Sequence, residues 1–384
     1  MRSIFKFLKW PLIVIVLLSA ALYLTGNEYV LKAVSLTYGR GNTGVSIEDY
    51  KYFPNRLILS AGHEPWEESD NINTYTYSDK LQSTLDDMGS VAYLVIKDDK
   101  VLVEEYWDGY NNRSLSNSFS MAKTVVTMLM QIAIDEGHIE SLDQKVSSFY
   151  PKFAEGLNAE LTVGDLSRMS SGLDWQESYS SPFSVTTQAY FGDDLESLIL
   201  NLNVLEEPGK EYKYLSGNTQ LLAMIVRKAT GRNLSDYASE KLWKPMGASS
   251  DAYWMLDKES GLEKAYCCIN SNARDFARFG KLWLNKGRWN GKQLISEDFV
   301  DLSIKPVFEE TPYYGYSWWL DSESFGTDVH FMRGILGQYV INVPEHNLII
   351  VRLGHKRDGK DEGKPHPRDF YIYVEETLKM LNLK

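Results

Sequence analysis

The sequence predicts an α+β fold in which an antiparallel sheet, flanked by helices, is interrupted by an inserted and mostly helical region. Strand patterns occur early, at 91–107, and return late in "YGYSWWL", "QYVINV" and "NLIIVRLG". The chain between them, at about 140–300, contains helix-like segments such as "NTQLLAMIVRKATG". With 384 residues, of which 43% are hydrophobic and 24% charged, the chain can bury the core of one large domain.

Individual elements follow from local patterns. The segment "VAYLVIKDDKVLVEEYW" predicts two strands joined by a tight Asp-Asp-Lys turn. The next element is an apolar helix that begins at Ser120 and ends near 136–137. "PEHN" predicts the turn between the last two strands, and "DFYIYVEETLKML" predicts a closing amphipathic helix.

The N-terminus predicts a targeting segment. Arg2, Lys6 and Lys9 precede an apolar run at 11–25, which is the order of a basic and then a hydrophobic signal region. We therefore expect residues 1–26 to be an export signal or membrane anchor, 27–75 to be an extension or linker, and 76–384 to be the main domain. The expected location is exported, either membrane-anchored or periplasmic or extracellular. The alternative for residues 1–26 is a buried helix.

Composition excludes several classes of function. A net charge of −12 argues against nucleic-acid binding. The two cysteines, Cys267 and Cys268, are adjacent, and we expect no disulfide because the loop between them would be very tight. Neither a Cys/His ligand spacing nor an HExxH motif is present, so the sequence predicts no metal site and requires no cofactor.

The stretch "NSFSMAKTVV" places Ser120 and Lys123 three residues apart at the start of the apolar helix. Residues at this spacing share one face of a helix, so the two side chains can touch. The helix dipole and burial both favour a neutral amine, the form that a general base requires. The Ser120 amide, at the helix N-terminus, is suited to hold an oxyanion. Alone, the spacing also fits an ordinary helix start with a surface lysine.

Several segments together carry a resemblance to a known family. They are "SFSMAKT", "LTVGDLSRMSSGLDWQESY", "PGKEYKYLSGNTQLL", "NARDFARFGKLWLNKGRWNGKQLIS" and "GILGQYVINVPEHNLIIVRLG". From about residue 85 to its end, the chain resembles the serine β-lactamase-like hydrolases, which include class C β-lactamases, DD-peptidases and esterases. Within them it is most similar to the 6-aminohexanoate-dimer hydrolase branch. The resemblance implies the β-lactamase/transpeptidase-like fold.

The resemblance also implies roles for residues. Ser120 would be the acylated nucleophile, Lys123 would share its proton, and Tyr214 would relay protons as base and acid, with Tyr212 as its competitor for that place. Ser216 would lie near the lysine, in the Tyr-x-Ser form of the second motif. Ser216 and Asn218 are candidates for substrate-binding or supporting residues, and either could instead cap a helix.

The third motif departs from the β-lactamase pattern, because "FMRGILGQYV" contains no Lys-Thr-Gly. The resemblance implies that the strand at Gly334 edges the cleft and that the Ile335 N–H is the second oxyanion donor. The missing lysine makes β-lactam turnover doubtful. Arg333 either substitutes for that cation or is an exposed strand arginine.

Two further candidates lie in loops. The charged segment "GHKRDGKDEGKPHPRD" would hang over the cleft, so His355 or His366 would meet substrate, unless the loop is simply solvated. Tyr179, after "GLDWQES", is a candidate for the cleft wall.

The sequence thus predicts an exported serine hydrolase that cleaves an ester, amide or peptide bond of a small substrate through an acyl-enzyme. The alternative is a penicillin-recognising or non-hydrolytic sensor on the same fold. The N-terminal segment would supply the one membrane contact.

Overall fold

The computed structural model describes residues 2–384, with side chains from residue 10 onward. Its helices and largely antiparallel sheets confirm the predicted α+β class. The α-helices of the described chain are α1 (Arg2–Leu24), α2 (Tyr29–Leu36), α3 (Asp79–Asp87), α4 (Met121–Asp135), α5 (Val163–Ser167), α6 (Val185–Phe191), α7 (Leu195–Leu200), α8 (Ser216–Thr230), α9 (Leu234–Ala238), α10 (Ala273–Leu284), α11 (Glu297–Ser303) and α12 (Arg368–Met380).

Three sheets accompany these helices. Their strands are β1 (Asn55–Ile58), β2 (Glu67–Glu68), β3 (Ser90–Lys97), β4 (Lys100–Tyr106), β5 (Ser116–Asn117), β6 (Ala252–Met255), β7 (Ile269–Ser271), β8 (Arg288–Trp289), β9 (Lys292–Gln293), β10 (Trp319–Asp321), β11 (Val329–Gly334), β12 (Gln338–Val343) and β13 (Leu348–Gly354). The main sheet has the order β10-β11-β12-β13-β3-β4-β2, and only its β2–β4 pair is parallel. A smaller sheet has the order β1-β6-β7-β5, and β8 pairs with β9.

The main sheet is covered on both faces. Leu94 and Ile96 of β3 join a large core with α10, whereas Tyr93 and Val95 join a second core with α3 and α12. Successive strand residues point to opposite faces, so both sets must be apolar when both faces are buried. This double coverage explains why "VAYLVIK" is an unbroken apolar run.

The predicted early hairpin and closing helix are present. β3 and β4 are joined through Asp98 and Asp99, whose φ angles of 50° and 64° lie in the left-handed region. The closing helix is α12. Helices α5 to α10 and the start of α11 lie between residues 140 and 300, together with strands β6 to β9, and α4 packs against α8 beneath the site described below.

Residues 27–75 pack onto the domain. Buried side chains of this segment, including Tyr29, Ile47 and Phe53, belong to the large core, and β1 extends the smaller sheet by pairing with β6. Within the described residues, no helix combines the length and apolar character needed to cross a membrane.

The prediction for the cysteines was wrong. Cys267 and Cys268 form a disulfide between neighbouring residues. Cys268 has a φ of 79°, in the left-handed region, so the backbone takes a tight bend just before β7. This bend accommodates the tight loop that argued against the bond. Tyr266, which directly precedes Cys267, lines the candidate active site.

Candidate active site

A short, heavily bonded turn leads into α4 and presents Ser120. Strand β5 pairs with β7, and the Ser118 N–H donates to the Ile269 carbonyl at 2.7 Å. Phe119 has a φ of 43°, a conformation that non-glycine residues rarely adopt. Its N–H donates to Asn117 Oδ1 at 2.9 Å. The surrounding bonds hold this strained residue in place, immediately before the candidate nucleophile.

Ser120 and Lys123 meet on one face of the α4 start. Ser120 is the residue before the first turn, and Lys123 Nζ donates to Ser120 Oγ at 3.2 Å. Lys123 Nζ also donates to the Tyr266 carbonyl oxygen at 2.8 Å. Lys123 is only 1% exposed. The structure therefore excludes the surface-lysine alternative and leaves the serine hydroxyl beside a buried amine.

Tyr214 lies against the same lysine. Lys123 Nζ is 5.1 Å from the centroid of the Tyr214 ring. That ring is half-buried and packs at 5.5 Å from the Trp319 ring. The competitor Tyr212 instead packs at 5.0 Å from Tyr314. The described side-chain hydrogen bonds include none from the Tyr214 hydroxyl to Ser120 or Lys123, and Tyr214 is not among the residues that line the cavity described below.

Ser216 begins α8 and is held by a carboxylate that the sequence analysis did not single out. Its N–H donates to Glu177 Oε2 at 2.7 Å, and its hydroxyl donates to Glu177 Oε1 at 2.8 Å. Trp175 Nε1 donates to the same carboxylate at 2.8 Å, and the Tyr179 hydroxyl donates to it as well. A negative charge at a helix N-terminus is favoured by the helix dipole. Glu177 thus joins the second motif to the loop that carries Tyr179.

Gly334 allows β11 to approach the nucleophile turn. A Cβ added to Gly334 would lie 2.2 Å from the Ser118 carbonyl oxygen, well inside contact distance. Glycine is therefore required here by close packing of two backbones, since its φ of −117° is ordinary. The approach brings Ile335, the next residue, to the edge of the cavity that also contains Ser120.

A cavity of about 870 Å³ opens above these residues. Ser120, Tyr179, Ser216, Ile335 and His355 all line it. Most of the other lining residues come from four places: the α6 region, the Tyr266–Cys267 bend, the loop at 356–359, and the N-terminal residues Thr37, Asn42, Thr43, Gly44, Val45 and Ser46. Its size and mixed polar and apolar lining suit a small-molecule substrate.

The remaining predicted residues lie at different depths. Asn218 is buried away from the cavity, where its side-chain oxygen accepts from Ser171 Oγ at 2.5 Å. His355 lies at the rim, with Nε2 3.1 Å from Asp108 Oδ2. His366 is buried, its Nε2 bonded to the Leu320 carbonyl at 2.8 Å, and burial lowers its pKa to about 3. It is therefore neutral and lies outside the cavity lining.

Neither alternative for Arg333 matches the structure. The side chain is buried, and its guanidinium carbon lies 3.3 Å from the centroid of the Trp319 ring. Arg333 is absent from the cavity lining. It stacks behind the strand because the flat guanidinium group packs well on an indole face.

Comparison with known proteins identifies the family. The beta-lactamase family model matches residues 79–371. The chain belongs to the beta-lactamase family. It is 27% identical over 296 residues to the 6-aminohexanoate-dimer hydrolase of Paenarthrobacter ureafaciens, covering 71% of this chain and 74% of that enzyme. The resemblance stated from the motifs is confirmed.

Two solved structures share the fold. A Bacillus anthracis protein, named only provisionally as a 6-aminohexanoate-dimer hydrolase, superimposes with a TM-score of 0.70 at 19% identity, over 87% of this chain and 92% of that one. A family VIII carboxylesterase superimposes with a TM-score of 0.60 at 17% identity, over 79% and 96%. The β-lactamase/transpeptidase-like fold is confirmed, and the protein is a serine hydrolase of the amide- and ester-cleaving class.

Proposed function

We propose that the protein cleaves an ester or amide bond of a small substrate through a covalent acyl-enzyme on Ser120. The observation that carries this proposal is the buried Lys123 amine 3.2 Å from Ser120 Oγ. A serine hydroxyl is a poor nucleophile until a neighbouring base takes its proton. Within the described chain, Lys123 is the one basic side chain that forms a hydrogen bond with Ser120.

The reaction would proceed in two balanced stages. Ser120 Oγ attacks the carbonyl carbon while its proton passes to Lys123, and the amine or alcohol leaves with a proton relayed through Lys123 and Tyr214. Water then attacks the acyl-enzyme, its proton returns to Ser120 Oγ by the same route, and the acid is released. The backbone N–H groups of Ser120 and Ile335 would hold the oxyanion in both stages.

Covalent labelling tests this proposal. The protein would be mixed with a fluorophosphonate and, separately, with a penicillin probe, and peptide mapping would locate any adduct. We expect the fluorophosphonate to modify Ser120 in the wild type and to leave Ser120→Ala unmodified. A folded wild-type protein in which Ser120 reacts with neither probe would contradict the proposal. A stable penicillin adduct without turnover of any ester or amide would favour the sensor alternative.

We also propose that the N-terminal segment directs export. Most apolar side chains of α1 are exposed, from Trp10 at 73% to Leu24 at 88%, although Leu22 packs against the large core. Burying such side chains against a membrane or an export receptor would remove apolar surface from water. Expression of the full chain followed by cell fractionation is the test, and recovery wholly in the cytoplasmic fraction would contradict it.

A further inference from the structure

One wall of the cavity comes from residues that precede the family match at 79–371. We call residues 37–49 the N-terminal strap. Thr37 and the stretch from Asn42 to Ser46 line the same cavity as Ser120. Sequence patterns predicted only an extension or linker here, so this wall is a feature of this chain that the matched region does not include.

The strap is bonded to the nucleophile turn. The Asn117 N–H donates to the Ile47 carbonyl at 3.0 Å, and the Asn117 side chain in turn accepts from the Phe119 N–H. Ile47 is fully buried in the large core. These contacts place the strap next to the turn that presents Ser120, and they leave it little freedom at that end.

Asp49, two residues after Ile47, ties the strap to the wall formed by α6 and to Arg40 near the start of the strap. This buried carboxylate accepts from Arg40 Nη1 at 3.0 Å, from the Ser46 N–H at 2.9 Å and from the Tyr190 hydroxyl at 2.9 Å. Tyr190 itself lines the cavity. Hydrogen bonds to a buried charged group are among the stronger ones in proteins, so Asp49 joins the strap and α6 into one wall.

The middle of the strap faces the cavity with small side chains. Thr43 and Gly44 are exposed, and a Cβ added to Gly44 would meet no atom within 4 Å. Lys356 and Arg357, also exposed, line the cavity from the loop after β13. A substrate group that extends away from Ser120 would therefore enter a space bounded by the strap.

We propose that the N-terminal strap determines substrate size, admitting a group attached to the scissile carbonyl only up to the length that the strap leaves open. This inference rests on the acyl-enzyme reaction proposed for Ser120. The strap acts by excluding bulk, so its residues are specificity determinants and take no part in proton transfer.

The test narrows the cavity at the strap. Gly44→Trp adds bulk at a backbone position that is not left-handed. The matched control is Gly39→Trp, on the exposed outer side of the strap, where an added Cβ would make an ordinary 3.7 Å contact with the Val34 carbonyl. Activity would be measured with two ester series, one lengthened on the acyl side from acetyl to decanoyl and one lengthened on the alcohol side from ethyl to decyl.

We expect Gly44→Trp to lower kcat/KM for the long members of one series by at least about tenfold, while activity on the shortest esters and the Gly39→Trp control stay near wild type. An equal loss at all lengths, or no loss in either series, would overturn the proposed role of the strap and leave the acyl-enzyme proposal standing. A wild-type protein whose Ser120 neither turns over an ester nor reacts with a fluorophosphonate would overturn the acyl-enzyme proposal, and this inference with it.

Discussion

The two sides of the cleft are built differently. On the nucleophile side, Ser120, Lys123 and Ser216 stand at the starts of helices α4 and α8, and Gly334 ends strand β11. On the rim, the strap at 37–49 and the loop at 355–359 carry mostly irregular backbone, and their side chains range from exposed to buried. Reacting groups need fixed geometry, which regular elements supply, whereas the rim can vary without disturbing it. Local sequence patterns therefore say more about the Ser120 side of the cleft than about the rim.

The largest expected effect on the nucleophile side comes from removing Lys123, the proposed general base. Lys123→Met keeps an apolar side chain of similar length in the buried site but takes away the amine beside Ser120 Oγ. We expect kcat to fall by about 10³-fold, since general-base assistance is lost. Steady-state ester hydrolysis is the measurement, and Lys292→Met, on the exposed β8–β9 hairpin, is the control. Wild-type activity in Lys123→Met would show that another group activates the serine.

Two glycines that line or border the cavity allow a direct comparison of the two sides. Gly334→Ala forces β11 away from the Ser118 carbonyl, which a Cβ would approach to 2.2 Å, whereas a Cβ at Gly359 on the rim would meet nothing within 4 Å. We expect Gly334→Ala to reduce kcat by about 10²-fold through a misplaced oxyanion donor. Gly359→Ala should leave kcat unchanged. Equal effects in the two variants would remove the distinction between the two sides.

Substitution of Glu177 tests whether the position of Ser216 depends on the Glu177 carboxylate. The side chain accepts from Ser216 N, Ser216 Oγ and Trp175 Nε1, and Gln can replace only part of this set because its amide nitrogen cannot accept. We expect Glu177→Gln to lower kcat by about tenfold with little change in KM, because the group positions others. The exposed Glu207 supplies the control Glu207→Gln. A fall in Tm with unchanged kcat would assign Glu177 a purely structural role.

Lys264 makes the stability of the wall beside α6 depend on pH. Its ammonium group is fully buried beneath the α6 wall, donating to the Ala189 carbonyl at 3.0 Å, and burial lowers its pKa from 10.5 to about 7. Between about pH 7 and pH 10.5, Lys264 holds a proton in the unfolded chain but not in the folded chain. Lys264 therefore makes the free energy of unfolding rise with pH over this range.

Below pH 7 the folded protein must bury the charge, so we expect Lys264→Met to raise the free energy of unfolding at pH 6 by about 2 kcal/mol and to flatten the rise above neutral pH. Urea denaturation at several pH values is the measurement. Lys258→Met, at an exposed neighbouring site, should keep the wild-type profile. An unchanged profile in Lys264→Met would mean that Lys264 stays charged when buried.

Local patterns predicted the parts of this protein that depend on near neighbours in sequence. The β3–β4 hairpin, α4 and α12 follow from apolar periodicity, and helical spacing indicates that Ser120 and Lys123 can touch. The family resemblance added Tyr214 and the Gly334 strand, whose positions beside Lys123 and the nucleophile turn depend on contacts between distant segments.

What the sequence by itself determined is a serine hydrolase fold in which a serine and a lysine stand one helical turn apart. Only the tertiary structure decided that Glu177 holds Ser216, that Arg333 stacks behind its strand, that Cys267 and Cys268 are bonded, and that the strap closes one wall of the cleft. Each of these depends on backbones or side chains that meet only after folding. A carboxylate, a guanidinium or a short polar segment has many possible partners, and periodicity does not say which one it will meet.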